Sequence, residues 1–346
     1  LCWRRDGIAT PRRTSYHAVL IASVFALLML QAAQASAQSW YNANWLYRKP
    51  ITIDSTRVGA TGAPHANFPV LVQLALDADL AARARSDGFD LLFTSSDGTT
   101  KLDHEIGTYT SGTGALTAWV KVPSLSASSN TTLYMYYGSA SSSNQQNASG
   151  VWSNGYGGVW HLNGNGTDAS SNANNGTLSG PTSVTGLFGQ ALDFNGSSNY
   201  LSIPNSASLQ PTAALTLQGW VRPRTFGTGT DVDTILRKGD GNPNNYQLSL
   251  QAQAGFFALD GSDDGTSGPR GATTLSANTW YHVVGTWNGT TSSVYVNGAL
   301  DASAADSTPG TDTRDLYIGG RTGSTDIFDG LIDEVRLSSV ARSSGW

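Results

Sequence analysis

Seven Asn-Gly dipeptides punctuate the chain, at 154–155, 163–164, 165–166, 175–176, 195–196, 288–289 and 297–298, and none lies between 38 and 153. Asn-Gly is the strongest short hairpin signal, because both residues tolerate positive φ. A chain turned back this often is built for antiparallel sheet. The charged residues agree. Of 25 acids only two are Glu, Glu105 and Glu334, and Lys numbers four against 16 Arg. Long solvated helices use Glu and Lys as surface residues, so few are possible here. Aromatic residues make up 10% of the chain, which argues against disorder. The 39 Gly follow no G-X-Y period, which excludes collagen. The expectation is an all-β protein, and 346 residues fit two domains of roughly 100–200 residues each.

Residues 1–37 read as a secretory signal peptide. Arg4, Arg5, Arg12 and Arg13 form a basic start, Ala18 to Leu30 is uncharged and apolar, and Ala35-Ser36-Ala37 fits an A-x-A cleavage site. The apolar run is shorter than the ~20 residues a membrane-spanning helix needs, and no other stretch of the mature chain is long enough. The expected location is the periplasm, the cell surface or the exterior. The whole chain carries a net −5. Residues 1–38 hold four Arg against Asp6, a net +3, which leaves −8 for the mature protein. Its Lys and Arg are scattered singly, so no basic face exists for nucleic acid. The single cysteine, Cys2, leaves with the signal, so the exported chain must stand without disulfides on cores of adequate size.

The Asn-Gly distribution and the Ser/Asn-rich run Ser139 to Ser149 put a boundary near 150–158. In 39–150, short strands such as Pro50 to Asp54, Phe68 to Leu74, Ala118 to Pro123 and Thr132 to Tyr137 alternate with Gly/Ser/Asp turns, an antiparallel sandwich pattern. Asp79 to Arg85 is the one helix, capped by Asp77 or Asp79 and ended at Asp87-Gly88. In 158–346 strand follows strand with hairpin turns and no helix, which implies two packed antiparallel sheets.

Six ordered blocks in the second part carry a family pattern: Val159 to Leu162, Ala191 to Gly196, Leu217 to Val221, Trp280 to Trp287, Val294 to Gly298 and Phe328 to Arg336. Together they resemble a bacterial laminin-G-like, concanavalin A-like jelly roll, which implies a two-sheet sandwich over 158–346. The family continues with a short helical segment after a final Trp, so the resemblance implies truncation at Trp346. The first part resembles the bacterial domain of unknown function 2341 through Trp45 to Ile51, Asp90 to Phe93, Leu102 to Ile106, Trp119 to Pro123 and Tyr134 to Gly138. Some of its members are encoded with ExbB/TolQ-type transport components, which makes such components expected partners.

Two isolated Glu argue against the carboxylate pair of a glycosidase. Asp103 and Glu105 are the nearest approach to one, on one face of a strand, and an ion pair or cap within the first sandwich is the simpler account. No G-x-S-x-G, H-E-x-x-H or phosphate-loop motif occurs. His65, His104, His161 and His282 sit alone in the sequence, and only folding can pair them. The loop Asp168 to Gly176 presents side-chain oxygens at alternate positions but lacks the Gly and Glu of an EF-hand. The resemblance implies one structural calcium, held by Asp333, the Asn195-Gly196 turn and Asp168. Against this stands an Asx-turn at Asp168 and a strand-end cap at Asp333. A sugar site needs an exposed aromatic beside planar amides. Trp160, Trp220, Trp280 and Trp287 fall at core positions of strands, so Tyr246 with Asn244, in the loop Asn242 to Gln247, is the candidate.

The expected function is that of an exported, non-catalytic binding or adhesion protein recognising a glycan or cell-surface partner through the jelly roll, with calcium as a structural ion. The alternatives are an accessory module or Asp-based enzyme of polysaccharide degradation, and a component of an ExbB/TolQ-type envelope system.

Overall fold

Asn297 and Gly298 both have positive φ, at 50° and 81°, and join two antiparallel strands directly. That is the tight hairpin their dipeptide demands. The computed structural model describes residues 39–59, 63–228, 231–239, 245–259, 268–306, 309–320 and 326–346. The signal segment 1–37 and Asn244 lie outside the described residues.

The first sandwich comprises β1 (Tyr47–Ile53), β2 (His65–Leu74), β3 (Leu92–Thr94), β4 (Lys101–Leu102), β5 (His104–Thr110), β6 (Ala115–Leu125) and β7 (Thr131–Tyr137). A four-stranded sheet of order β1-β7-β3-β4 faces a three-stranded sheet of order β2-β6-β5. Phe93, Leu133 and Met135 from the first meet Val72, Leu116, Val120 and Val122 from the second in one core. Helix α1 (Ala78–Arg83) is capped by Asp77, whose carboxylate accepts from the Asp79 and Leu80 amides, and Leu80 anchors it in that core. The sequence-based expectation for this helix is met, two residues short at its C-terminal end. A single-turn α2 (Ala148–Val151) leads into the second sandwich.

The second sandwich comprises β8 (Tyr156–Trp160), β9 (Thr177–Ser179), β10 (Thr182–Thr185), β11 (Gln190–Asn195), β12 (Tyr200–Ile203), β13 (Leu215–Pro223), β14 (Val232–Lys238), β15 (Tyr246–Gln251), β16 (Ala254–Leu259), β17 (Tyr281–Trp287), β18 (Thr291–Val296), β19 (Ala299–Ala305), β20 (Leu316–Ile318) and β21 (Asp329–Ser338). The larger sheet runs β10-β11-β21-β13-β17-β18-β19, with β8 also on β21, and the smaller runs β16-β15-β14-β20-β12-β9. Every pairing is antiparallel, so the all-β, two-sandwich, jelly-roll expectation holds. Leu217, Val221, Val283, Trp287, Val294, Ile332 and Leu337 of the larger sheet pack on Ile235, Leu248, Phe257 and Ile318 of the smaller. Alternate residues of the larger sheet therefore face away from this core, and the candidate site lies on that outer face. Trp160 and Trp287 are core residues as expected, whereas Trp220 and Trp280 are only half-buried. They fall at outward positions, because a strand buries every second residue and both flanks of Trp220, Gly219 and Val221, point inward.

Tyr41–Trp346 is one compact unit, with both sandwiches inside it. Trp346 packs on Phe68 and His65 of the first sandwich, with ring centroids 4.9 and 6.0 Å away, and the Arg342 guanidinium lies 4.0 Å from the Trp346 ring.

Candidate functional site

The site begins with an irregularity in β21. Ile332, Val335 and Leu337 enter the core, which is not the alternation of a regular strand. The register against β13 shifts here: Gln218 opposes Arg336, whereas Trp220 opposes Asp333. Glu334 sits at φ 52°, a left-handed conformation costing a non-glycine residue about 1–3 kcal/mol. One extra residue is thus inserted, and both Asp333 and Glu334 turn outward. At the same point the neighbour on the far edge of β21 changes from β11, which pairs as far as Ile332, to β8, which pairs from Val335.

Glu334 meets His161, the residue after β8. Its Oε1 lies 2.8 Å from His161 Nδ1, and its Oε2 accepts from Arg336 Nη2 at 2.7 Å. The other imidazole nitrogen, Nε2, lies 3.2 Å from Glu105 Oε2 on β5 of the first sandwich, and that oxygen also accepts from Trp152 Nε1 at 2.6 Å. Burial alone would lower the His161 pKa, but Glu334 and Glu105 outweigh it and push the imidazolium up to about 10. Burial likewise works against the Glu334 carboxylate, and the facing His161 and Arg336 charges bring its pKa below the ordinary value. The Arg336 guanidinium lies 4.3 Å from the Trp119 ring and 4.6 Å from Trp152, and Trp119 stacks on His161 at 6.2 Å. Glu105 therefore pairs across to the second sandwich and not within the first, a correction to the simpler sequence-based account. Asp103 pairs instead with Lys121 at 2.7 Å.

Asp333 turns the other way. Its Oδ2 accepts from the Leu187 and Phe188 amides at 2.9 and 3.2 Å, in the turn between β10 and β11. Burial, reinforced by Glu334, pushes its carboxyl up to about 7. Asp168 organises an Asx-turn network. Oδ1 accepts from the Val159 and Ser170 amides, and Oδ2 from Ser170 Oγ and the Asn174 amide, all at 2.8 Å. Asn195 Oδ1 takes the Ser197, Ser198 and Asn199 amides, and the Gly196 amide donates to Phe328 O. Among the described residues no three His, Cys, Asp or Glu converge in a metal-binding group.

Tyr246 is not an exposed platform. It opens β15 fully buried in the jelly-roll core, and its hydroxyl donates to Leu209 O at 2.8 Å. The Asn-rich stretch before it signals a loop, but the inward phase of β15 begins with Tyr246 itself. Its companion Asn244 falls outside the described residues.

The outer face of the larger sheet supplies what Tyr246 does not. Gln218, Trp220 and Arg222 are successive outward residues of β13. Trp220 stacks on His282 of β17 at 5.0 Å and meets Phe188 edge-on at 5.5 Å. Burial, with Arg336 adding to it, lowers the His282 pKa to about 4, so its ring is neutral. His282 Nε2 lies 3.1 Å from Gln218 Oε1, and Arg222 Nε donates to Asn278 O. The Gln218 amide nitrogen, Trp220 Nε1, the Tyr295 hydroxyl and the terminal nitrogens of Arg222 have no protein partner among the described residues. A cleft of about 60 Å³ touches Gln218, His282 and Tyr295, and one of about 360 Å³ is lined by Arg222, Arg224, Asp193 and Asn278. A third, about 530 Å³, lies by Trp152, Tyr156, Asn172 and Gln210. The outward-facing donors were missed in the sequence because Trp220 has the neighbours of a core residue.

The family model of the domain of unknown function 2341 matches residues 87–169, and that of the concanavalin A-like lectin/glucanases superfamily, Laminin_G_3, matches 195–346. No curated protein matches the chain. Among solved structures, domain 4 of AbnA, a GH43 extracellular arabinanase from Geobacillus stearothermophilus in complex with arabinotriose, aligns at 20% identity and TM-score 0.44, over 55% of this chain and 94% of that one. The binding domain of Paraclostridial Mosquitocidal Protein 1 aligns at 14% identity and TM-score 0.44, over 51% and 47%. The binding domain of botulinum neurotoxin DC in complex with SialylT aligns at 12% identity and TM-score 0.42, over 54% and 48%. The chain carries a domain of unknown function 2341 followed by a concanavalin A-like jelly roll of the lectin/glucanase type.

Proposed function

We propose that this is an exported, non-catalytic binding protein whose jelly roll recognises a neutral glycan on the outer face of its larger sheet. The observation that carries this is the row Gln218, Trp220 and Arg222 on β13, joined by His282 and Tyr295. These residues offer N–H and O–H groups with no protein partner beside aromatic ring surface. In-plane donors next to apolar ring edges suit a sugar, which is hydroxylated at its rim and apolar on its ring faces. Arg224 pairs with Asp193 and Asp329, so the larger cleft on this face is close to neutral and favours an uncharged ligand. A non-catalytic role is supported by the two glutamates, since Glu334 and one oxygen of Glu105 are committed to His161, Arg336 and Trp152.

A glycan array with neutral and acidic oligosaccharides tests this. Retention of neutral glycans, reduced at least tenfold by a Gln218→Ala, Trp220→Phe double variant and without product release, is the expected result. Equal retention by the double variant removes this face as the binding site. Sugar release lost on mutating an acidic residue would make the protein an enzyme.

A further inference from the structure

The turn between β10 and β11 has one buried anchor, and that anchor sits under the proposed binding face. Asp333 is fully buried, and Oδ1 has no partner. Its carboxylate accepts from the Leu187 and Phe188 amides at Oδ2. The turn closes through Gly186 N to Gly189 O at 3.0 Å, with Gly189 at φ 113°. A Cβ on Gly186 would stand 2.7 Å from Asp333 Oδ2, so the backbone approaches the carboxylate as closely as glycine permits. Asp333 also stands directly opposite Trp220 across the β13–β21 pairing.

Phe188 is what this anchor places. Its ring lies edge-on between Trp220 of the jelly roll, at 5.5 Å, and Trp119 of the first sandwich, at 6.4 Å. Trp119 in turn is held by Trp152, His161 and Arg336. A chain of ring contacts therefore runs from the ion cluster between the sandwiches to the outward-facing donor row. The bulge makes this possible, because it gives β21 two consecutive outward acids, one for the cluster and one for the turn.

We infer that Asp333 is a positioning residue, whose carboxylate pins the Leu187–Phe188 turn so that Phe188 is wedged between Trp119 and Trp220 and sets the edge of the binding face. The first sandwich is thus a fixed wall of the jelly roll's site. The effect on ligand affinity rests on the binding proposal above; the effect on the turn does not.

The test uses the full exported chain with Asp333→Asn, Asp333→Ala and Phe188→Ala. An Asn side-chain oxygen still accepts both amides, whereas Ala accepts neither. Hydrogen exchange at the Leu187 and Phe188 amides is expected to stay near wild type in Asp333→Asn and to quicken at least about tenfold in Asp333→Ala, the effect of losing one charge-assisted hydrogen bond or more. Neutral oligosaccharides retained on the glycan array are expected to bind about as well to Asp333→Asn as to wild type, and more weakly to Phe188→Ala, whose side chain is only partly buried. Unchanged exchange in Asp333→Ala overturns the inference. So does a pattern in which Asn and Ala behave alike and both abolish a calcium-dependent rise in Tm, which would make Asp333 a cation ligand. If Asp333→Ala does not fold, Phe188→Ala decides: unchanged binding by it, with binding lost in the Gln218/Trp220 variant, overturns the positioning role alone. Binding unchanged in the Gln218/Trp220 variant rejects the face while leaving the exchange result to judge the turn.

Discussion

Glu105 Oε2 of the first sandwich lies 3.2 Å from Nε2 of His161 in the second, while Glu334, 229 positions further along, holds Nδ1 of the same ring at 2.8 Å. The chain's two glutamates thus share one buried imidazolium. Removing it leaves Glu334 with Arg336 and Glu105 with Trp152 as remaining partners, and breaking a buried pair in this way costs about 3–5 kcal/mol. His161→Ala is expected to lower stability by that amount in urea titration. Glu105→Gln should cost less, because its side-chain oxygen still accepts from Trp152. Equal stability of wild type and His161→Ala would contradict this account of the cluster.

The same cluster sets a pH window. The His161 pKa is raised to about 10, so its contribution to stability is complete below the ordinary value of 6.5 and is lost as pH rises through about 10. The Glu334 pKa is lowered, so its contribution is present above 4.5 and fades as pH falls below that. Asp333 has the opposite sign: its pKa is raised to about 7, so holding it buried costs nothing below 3.8 and progressively more up to about 7. Stability is expected to be highest near pH 4.5, to fall up to about pH 7 as Asp333 ionises, and to decline further towards pH 10 as His161 loses its proton. Urea midpoints across that range check the shape, and in His161→Ala the decline towards pH 10 should flatten.

Asp168 accepts four hydrogen bonds, three within its own loop and one from the Val159 amide of β8, so its contribution is expected not to depend on an ion. Asp168→Ala should cost about 2–4 kcal/mol, on the scale of buried amides and a hydroxyl left without an acceptor. The loss should be equal in calcium and in chelator. A bound structural calcium remains proposed for the jelly roll. It requires a higher Tm of the wild-type protein in calcium, and a Tm unmoved by chelator counts against it.

Gly285 lies on the inward face of β17 under the Phe257 ring, where a Cβ would overlap the ring atoms. Gly285→Ala is expected to destabilise by about 1–3 kcal/mol, the usual cost of overpacking a filled core. Thermal unfolding measures it, and Phe257→Leu in the same background should recover part of the loss.

Local chemistry was legible in the sequence. Turn residues, strand phase and the scarcity of Glu and Lys determined an all-β chain, because backbone conformational preference and period-2 burial act over a few residues. The Asp77 cap and the Asn297-Gly298 hairpin needed nothing else. Even locally there were limits: Ala252 and Gln253 form the positive-φ turn between β15 and β16 without any Asn-Gly signal. Asp168 presents its oxygens as the spacing indicated, yet to donors of its own loop and of β8. The candidate site was a matter of tertiary structure alone. Tyr246 points inward and Trp220 outward because of strand phase within packed sheets, which neither residue's neighbours reveal. Two glutamates that looked isolated meet on His161 because a bulge at Glu334 turns one of them outward and the first sandwich brings the other to it. Coulombic pairing depends on distance in space, and 229 positions of chain carry no record of it.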